Sequence, residues 1–385
     1  MDIDTLLTRG VSEILPDKKK LASLLNKKRI TLYQGFDPTA DSLHIGHFIG
    51  IRKLAQFQKL GHKVIFLIGD FTGMVGDPTD KSAARVKLTP AQIKNNYKKY
   101  KKQVEHIIDF EGPNKAIVRY NSQWLSKLNF SDILELSSNF TVQQMLERDF
   151  FAKRIVEKKP IYLHEFLYPL MQGYDSIVMD VDLEVGGNDQ LFNMMAGRHL
   201  MKNLKNKEKF VLTMKLLTDK KGQKMGKTTG NAIFLSDTAN DIFGKVMSMS
   251  DDSMPSAIEL LTDLPLNFYE NRNPLETKKK VAFEITSQVH GINQAEAAQK
   301  FFEETFQKGN LPENVPSFTI NSDINLIDLI DQSGIVQSKS QIKRLLAEGA
   351  ISIDGNKIND TALMLSTKDK GKIIKIGKTR FLKLI

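Results

Sequence analysis

Thr31-Leu32-Tyr33-Gln34-Gly35-Phe36-Asp37-Pro38-Thr39-Ala40-Asp41-Ser42-Leu43-His44-Ile45-Gly46-His47 leads from an apolar strand, through a polar turn, into the first turn of a helix. The strand reading ends near Gln34, and the helix runs from about Ile45 to Leu60, where Gly61 stops it. Such a junction suits a phosphate, because the unpaired amides and the dipole of a helix N-terminus attract anions. His44 and His47 lie three apart and therefore share one face of that first turn, and Gly46 lets a nucleotide approach the backbone. Taken alone, two such histidines could equally be ordinary polar residues or metal ligands. The chain lacks the HExxH spacing and has no carboxylate at helical spacing beside the pair, so no protein-bound metal is expected.

Outward from this junction, short apolar runs at 30–33, 64–68, 116–118, 177–179 and 210–212 alternate with amphipathic stretches. That rhythm predicts an α/β fold with a largely parallel, Rossmann-like sheet. A helix after Pro90 is signposted by Thr89 as cap and Gln92 as its capping-box partner, with Ile93, Tyr97, Tyr100, Val104 and Ile107 forming one stripe. Lys94, Lys98, Lys99, Lys101 and Lys102 occupy its other faces and read as a solvated surface in preference to an RNA contact.

The 385 residues carry 55 Lys and Arg against 45 Asp and Glu, a net charge of +10 that calls for an anionic partner. The absence of Cys excludes a disulfide scaffold, a Cys-ligated metal and a thiol nucleophile. No basic-then-apolar leader and no run of 18 apolar residues is found, which predicts a soluble cytoplasmic protein with no membrane partner. Five segments are expected. They are an α/β domain at 1–220, a mobile loop at 221–235, a helical domain at 236–308, a Pro- and Ser-containing linker at 309–322 and a small α+β domain at 323–385. The last has 11 Lys and Arg against 7 Asp and Glu, a helix opened by Ser338 and Gln341 and closed by Gly349, and a hairpin signal at Asp354-Gly355.

A second constellation, Lys220-Lys221-Gly222-Gln223-Lys224-Met225-Gly226-Lys227-Thr228-Thr229-Gly230, is a basic loop rich in glycine. It misses the phosphate-loop pattern GxxxxGK[ST], because Lys221 stands where the first glycine belongs. Alone it could be a solvated hairpin tip. A flexible loop that delivers Lys224 and Lys227 as charge develops would act on the transition state more than on the ground state.

Together, His44-Ile45-Gly46-His47 and Lys224-Met225-Gly226-Lys227-Thr228 resemble the paired signatures of class I aminoacyl-tRNA synthetases, with Gly226 and Thr228 as variants in the second. Residues 31–44, with Tyr168-Pro169-Leu170-Met171-Gln172-Gly173-Tyr174-Asp175 and Gly186-Gly187-Asn188-Asp189-Gln190, resemble the tyrosyl-tRNA synthetase family. A buried phenol needs its hydroxyl satisfied, and Tyr33 with Asp175 could supply a donor and an acceptor. The resemblance further implies Asp77, Tyr168 and Gln172 at the substrate ammonium and Gln190 at its carboxylate end. It places Gly35, Asp37, Gly46, Gly187, Asp189 and Lys227 on the ATP side, with His44, His47, Thr39, Lys224, Lys227 and Thr228 around the phosphates. Lys81 and Arg85 are secondary candidates for that charge. Without the family, Tyr168 and Tyr174 would read as core aromatics and Asp77-Pro78 as a turn.

Leu191 and Glu184 depart from the commonest bacterial pattern, which has Trp and Gln there, and resemble a second bacterial branch. The implied activity is tyrosine activation by ATP, with magnesium arriving on the nucleotide, followed by transfer to tRNA(Tyr). A homodimer is implied in the same way. The final domain resembles an RNA-binding module shared with a small-subunit ribosomal protein. The competing readings are a tryptophan enzyme, a synthetase that has lost its activity and only binds RNA, and a small-molecule nucleotidyltransferase.

Overall fold

The structure is a computed structural model and describes residues 2–77, 88–146, 149–218, 232–307, 315–336, 338–377 and 380–385. The chain divides into two compact units, Met1–Asp237 with Met249–Gly291, and Thr238–Ser248 with Ile292–Ile385. Helices from the region 236–308 are therefore shared between the two.

The first unit is built on a six-stranded sheet of β1 (Val11–Leu15), β2 (Thr31–Phe36), β3 (Lys63–Ile68), β4 (Ile117–Tyr120), β5 (Leu183–Gly187) and β6 (Phe210–Met214). The order is β1-β6-β5-β2-β3-β4, parallel throughout except for β1, which pairs antiparallel with β6. The α/β fold expected from the alternation is present, with β3 and β6 buried along almost their whole length, as strands covered on both faces must be. After β2 the chain builds outward through β3 to β4, then returns to place β5 and β6 on the other flank. The order therefore reverses between β2 and β5. In open α/β sheets, ligands bind beyond the strand ends at such a reversal.

One strand expectation is corrected. Ile177-Val178-Met179 is not a strand but the last turn of the helix Leu163–Met179, and the strand follows at Leu183–Gly187. Three apolar residues in a row fit both periods, and the helix wins because Tyr168, Gln172 and Asp175 repeat on one of its faces. β1 gave no usable signal, being a short edge strand that is largely polar outside Val11, Ile14 and Leu15.

In the second unit a core of Leu326, Ile330, Ile342, Leu346, Ile351, Ile374 and Leu382 holds two helices, Leu326–Gln332 and Lys339–Ala347, against a small sheet. Asp354 and Gly355 both take positive φ, 47° and 85°, and join Ile351–Ile353 to Asn356–Lys357 in a tight hairpin. Ser317–Phe318 adds to the same sheet beside Arg380–Leu384.

Candidate active site

Tyr33 and Gly35 on one face of β2, with Asp37 just past the strand's end, define the floor of a slot. Side chains alternate along a strand, so positions 33 and 35 point the same way, and Asp37 continues that spacing. A Cβ built on Gly35 would meet nothing nearer than Leu67 at 3.6 Å, so the floor is open there. The helix Leu163–Met179 crosses above it. Tyr168 donates to Asp37 Oδ2 at 2.8 Å, while the Tyr33 hydroxyl lies 2.9 Å from Ser176 Oγ and 3.4 Å from the Gln172 carbonyl. Four strand steps from Tyr33 to Asp37 and eight helix steps from Ser176 to Tyr168 each span about 12–13 Å, so strand and helix run antiparallel in register. Gln172 falls between the two ends.

The Tyr33 end is deeply buried. Asp175, almost fully buried, accepts from Trp124 Nε1 at 2.7 Å and from Asn121 Nδ2 at 3.2 Å. Burial drives its pKa well up, against the pull of those two donors, and the charges of Glu184 and Asp37 add to the rise. A further O–H donor arriving in the slot would favour the carboxylate. Burial, then the charges of Glu184 and Asp175, also pushes the Tyr33 phenol well up, so it stays protonated. Tyr168 behaves likewise, through burial and then Asp37. Trp124 and Asn121 escaped the sequence reading. The only signal available for the first was that it is the single Trp in the chain.

Asp37 has a second partner, Thr72 Oγ1 at 2.7 Å. Gly69, at the end of β3, makes room for this carboxylate, since a Cβ there would come within 2.0 Å of Asp37 Oδ1. Gln190 Nε2 donates to Asp77 Oδ2 at 2.7 Å, and Gln190 Oε1 accepts from Asn193 at 3.0 Å. Asp189 folds back on Gly187, where a Cβ would lie 2.4 Å from Oδ1.

At the strand's far end stands the histidine corner. His44 caps the helix Ile45–Lys59, its Nδ1 accepting from Gly46 N at 3.1 Å, and His47 Nδ1 accepts from His44 N at 3.1 Å. An imidazole nitrogen that accepts carries no proton, so in both rings the proton sits on Nε2. The rings lie 3.8 Å apart, and His47 meets Phe36 edge-on. A Cβ on Gly46 would approach the His44 ring to 2.9 Å, so the glycine first of all serves the cap.

The loop before this corner, 38–43, is held from the far side by the Lys-bearing segment. Asn96 donates to Pro38 O, Tyr100 to Ala40 O and Gln103 to Asp41 O, while Leu43 N donates to Gln103. Its lysines 94, 98, 99, 101 and 102 are all exposed. Thr39 N donates to Asp37 O, closing the turn.

Lys224, Lys227 and Thr228, with Lys81 and Arg85, lie outside the described residues. The chain resumes beside the corner. Ile45 N donates to Ile233 O and Leu235 N to Leu43 O, both at 2.8 Å, and His44 pairs with Phe234 as an antiparallel bridge. On the other side of that loop, Leu216 lies where a Cβ on Gly187 would meet it at 3.3 Å. Both flanks of the basic loop are thus seated on the site.

A sheet, parallel but for its edge strand, that reverses beside a His-x-Gly-His helix cap has the arrangement expected of a class I synthetase core. Residues 25–307 match the family of tRNA synthetases class I (W and Y), and residues 306–384 match the tyrosine--tRNA ligase SYY-like C-terminal domain. The chain belongs to that family, in which its relatives are named for tyrosine. A tyrosine--tRNA ligase of Mannheimia succiniciproducens is 41% identical over 97% of this chain and 96% of its own. That of Desulfotalea psychrophila is 45% identical over 99% and 97%. Among solved structures, a C-terminally truncated mitochondrial tyrosyl-tRNA synthetase of Aspergillus nidulans shares the fold with a TM-score of 0.68, at 24% identity over 79% of this chain and 94% of that one. A tyrosyl-tRNA synthetase of Archaeoglobus fulgidus, complexed with L-tyrosine, gives 0.59 at 20% identity over 77% and 100%.

Proposed function

We propose that the slot over Gly35 binds L-tyrosine and that the chain is a tyrosine--tRNA ligase, which activates tyrosine with ATP and transfers it to tRNA(Tyr). The observation that carries the substrate is Asp175, a buried acceptor held by Trp124 and Asn121 and next in the chain to Ser176, which pairs with the Tyr33 hydroxyl. A phenol matches that pair. Phenylalanine would leave them unmatched, and indole offers a donor but no hydroxyl oxygen.

Tyrosine lies with its ring over Gly35, its ammonium toward Gln172, Asp77 and Tyr168, and its carboxylate toward Gln190 and the histidine corner. The Tyr168 proton is committed to Asp37, which turns the phenol oxygen into an acceptor for the ammonium. A carboxylate oxygen attacks the α-phosphorus of ATP, a P–O bond forms as the bond to pyrophosphate breaks, and tyrosyl-adenylate results. The nucleophile is ionised at neutral pH and needs no base. Catalysis then consists of alignment and of donors aimed at developing charge. His44 and His47 present Nε2–H groups, Thr39 lies in the same turn, and Lys224, Lys227 and Thr228 belong to the loop whose flanks are pinned there. Gly46, Gly187, Asp37 and Asp189 face the nucleoside, whereas Gly35, expected on the ATP side, is read here as the floor under the tyrosine ring. Magnesium enters as the counter-ion of ATP. In the second step the terminal ribose hydroxyl of tRNA attacks the acyl carbon and releases AMP.

The tRNA is held in part by the C-terminal module, where Lys339, Lys343 and Arg344 are exposed along one helix. We read the protein as a cytoplasmic homodimer. Exposed apolar side chains at Phe130, Leu134, Val156, Tyr162 and Leu163, the last 80% exposed, support a self-association face. Among the described residues no helix is long and apolar enough to cross a membrane. ATP–pyrophosphate exchange with each of the twenty amino acids tests the substrate. Exchange driven by tyrosine alone is expected, and exchange driven by tryptophan, or by none of the twenty, would overturn the reading.

A further inference from the structure

Lys209 is wholly buried, and so, at 2% exposure, is Glu184. Lys209 directly precedes β6, and its ammonium reaches sideways to Glu184 Oε2 on β5 and to the carbonyl of Met194 at 3.1 Å. Space for it is made by backbone. A Cβ on Gly197 would stand 2.5 Å from the Lys209 ammonium, and Gly173 and Gly197 let the helices Leu163–Met179 and Leu191–Lys205 approach to backbone contact. A buried ion pair is a poor way to stabilise a fold, since desolvating two charges offsets most of their attraction. Its geometry therefore invites another explanation.

The other oxygen of the same carboxylate, Oε1, accepts from Gln172 Nε2 at 2.9 Å. With Lys209 donating to one oxygen, the carboxylate offers only lone pairs on the other, and so acts toward Gln172 as an acceptor. Gln172 has one orientation open to it, with the amide NH2 toward Glu184 and the carbonyl Oε1 turned away. The reverse would set oxygen against oxygen. The substrate's ammonium has donors only, so it needs that oxygen and is repelled by an NH2 group.

We propose that Lys209 is a positioning residue for substrate recognition: through Glu184 it fixes the polarity of the Gln172 amide, so that the slot presents an acceptor to the amino group of tyrosine. Lys209 itself does not touch substrate. The inference rests on the reading of Gln172 as a ligand of the substrate ammonium, and it gives Glu184, in place of the commoner Gln, a role that depends on having a cation behind it.

The chain of donors predicts an unusual order of effects. In Glu184→Gln, Lys209 claims the new amide's oxygen, the new NH2 faces Gln172, and the Gln172 amide must turn its own NH2 toward the substrate. Adding Lys209→Met releases the constraint, because the amide introduced at position 184 can then rotate and accept from Gln172 again. The double variant should therefore bind better than the single one.

The test uses purified full-length protein and tyrosine-dependent ATP–pyrophosphate exchange, with two competitive inhibitors as probes. Tyramine keeps the ammonium and lacks the carboxylate, whereas 3-(4-hydroxyphenyl)propionate keeps the carboxylate and lacks the ammonium. Glu184→Gln should raise the KM for tyrosine and the Ki for tyramine about tenfold or more, the size of one charged hydrogen bond. The Ki for hydroxyphenylpropionate and the KM for ATP should stay within about twofold. Glu184→Gln with Lys209→Met should recover tyramine binding to within about threefold of the parent. Equal weakening of both probes, unchanged tyramine binding in Glu184→Gln, or a double variant no better than the single one would each overturn the proposal. Loss of the tyrosine reading would show differently, as a parent enzyme whose exchange tyrosine does not drive.

Discussion

The two ends of the substrate channel are built on opposite principles. The histidine corner is local. His44, Gly46 and His47 make their decisive contacts within four residues, and the helix they cap would orient them in any fold that preserved the strand-turn-helix junction. The phenol end is convergent. Tyr33 comes from β2, Asn121 follows β4, Trp124 lies in the short helix Ser122–Leu125, and Asp175 and Ser176 come from the helix Leu163–Met179. None of these acts without the others. A site that recognises phosphate can be written in a short motif, because backbone amides do much of the work. A site that recognises one buried hydroxyl has to be assembled from the whole sheet.

The sharpest way to separate the ends is kinetic. His47→Ala removes an Nε2–H donor that serves developing charge, and should lower the rate of adenylate formation by roughly 100- to 1000-fold, with tyrosine affinity within about twofold. Single-turnover rates and equilibrium tyrosine binding on the same preparation check this. A large loss of tyrosine binding would merge the two ends into one. Gly46→Ala drives a methyl group into the His44 ring and should slow the same step about tenfold by displacing the cap. If it is as active as the parent, the glycine answers only to the nucleotide or to nothing.

Trp124→Phe works at the opposite end. It removes one of the two donors on Asp175 and should raise the KM for tyrosine about fivefold to tenfold, leaving the KM for ATP alone. As the single tryptophan of the chain, Trp124 also reports directly, and tyrosine binding should change its emission while ATP alone should not.

The smallest effect on activity belongs to a residue farther along the helix Ile45–Lys59, well past its histidine cap. Lys53 is buried, donates to the carbonyls of Leu6 and Arg9, and its pKa is pushed down to about 7, chiefly by burial and further by Arg52 and Arg9. The unfolded chain, with an ordinary lysine, holds the extra proton up to about 10.4, so stability must rise with pH between about 7 and 10.4. Lys53→Met abolishes that slope. The parent's advantage over the variant should therefore grow through this window, by at most about 1.4 kcal/mol per pH unit, in chemical denaturation at about pH 7, 8 and 9. A constant difference would mean that Lys53 titrates normally, and activity should not follow the change at all.

The same contrast explains what the sequence could disclose. The helix start at Ile45, the capping box at Thr89 and Gln92, and the hairpin at Asp354 and Gly355 were legible because each is settled by neighbours in the chain. The parallel fold was legible from the alternation of apolar runs, although the run Ile177-Val178-Met179 suits a strand as well as the helix end that it forms. Trp124, Asn121, Gly69 and Lys209 could not be read. Trp124 and Asn121 take their significance from Asp175, 51 and 54 positions away, and no local pattern marks them. Glu184 was visible as an oddity, but Lys209, which gives it meaning, sits on another strand's threshold 25 residues later.

Asp175 is the point on which the account turns. The decisive measurement is the ratio of kcat/KM for tyrosine over phenylalanine in ATP–pyrophosphate exchange, compared between the parent and Asp175→Asn. The parent should favour tyrosine by at least about a hundredfold, roughly 3 kcal/mol for buried partners left unmatched by phenylalanine, and the variant should lose most of that preference. A parent that uses both amino acids equally, or a variant that still discriminates as the parent does, would contradict it.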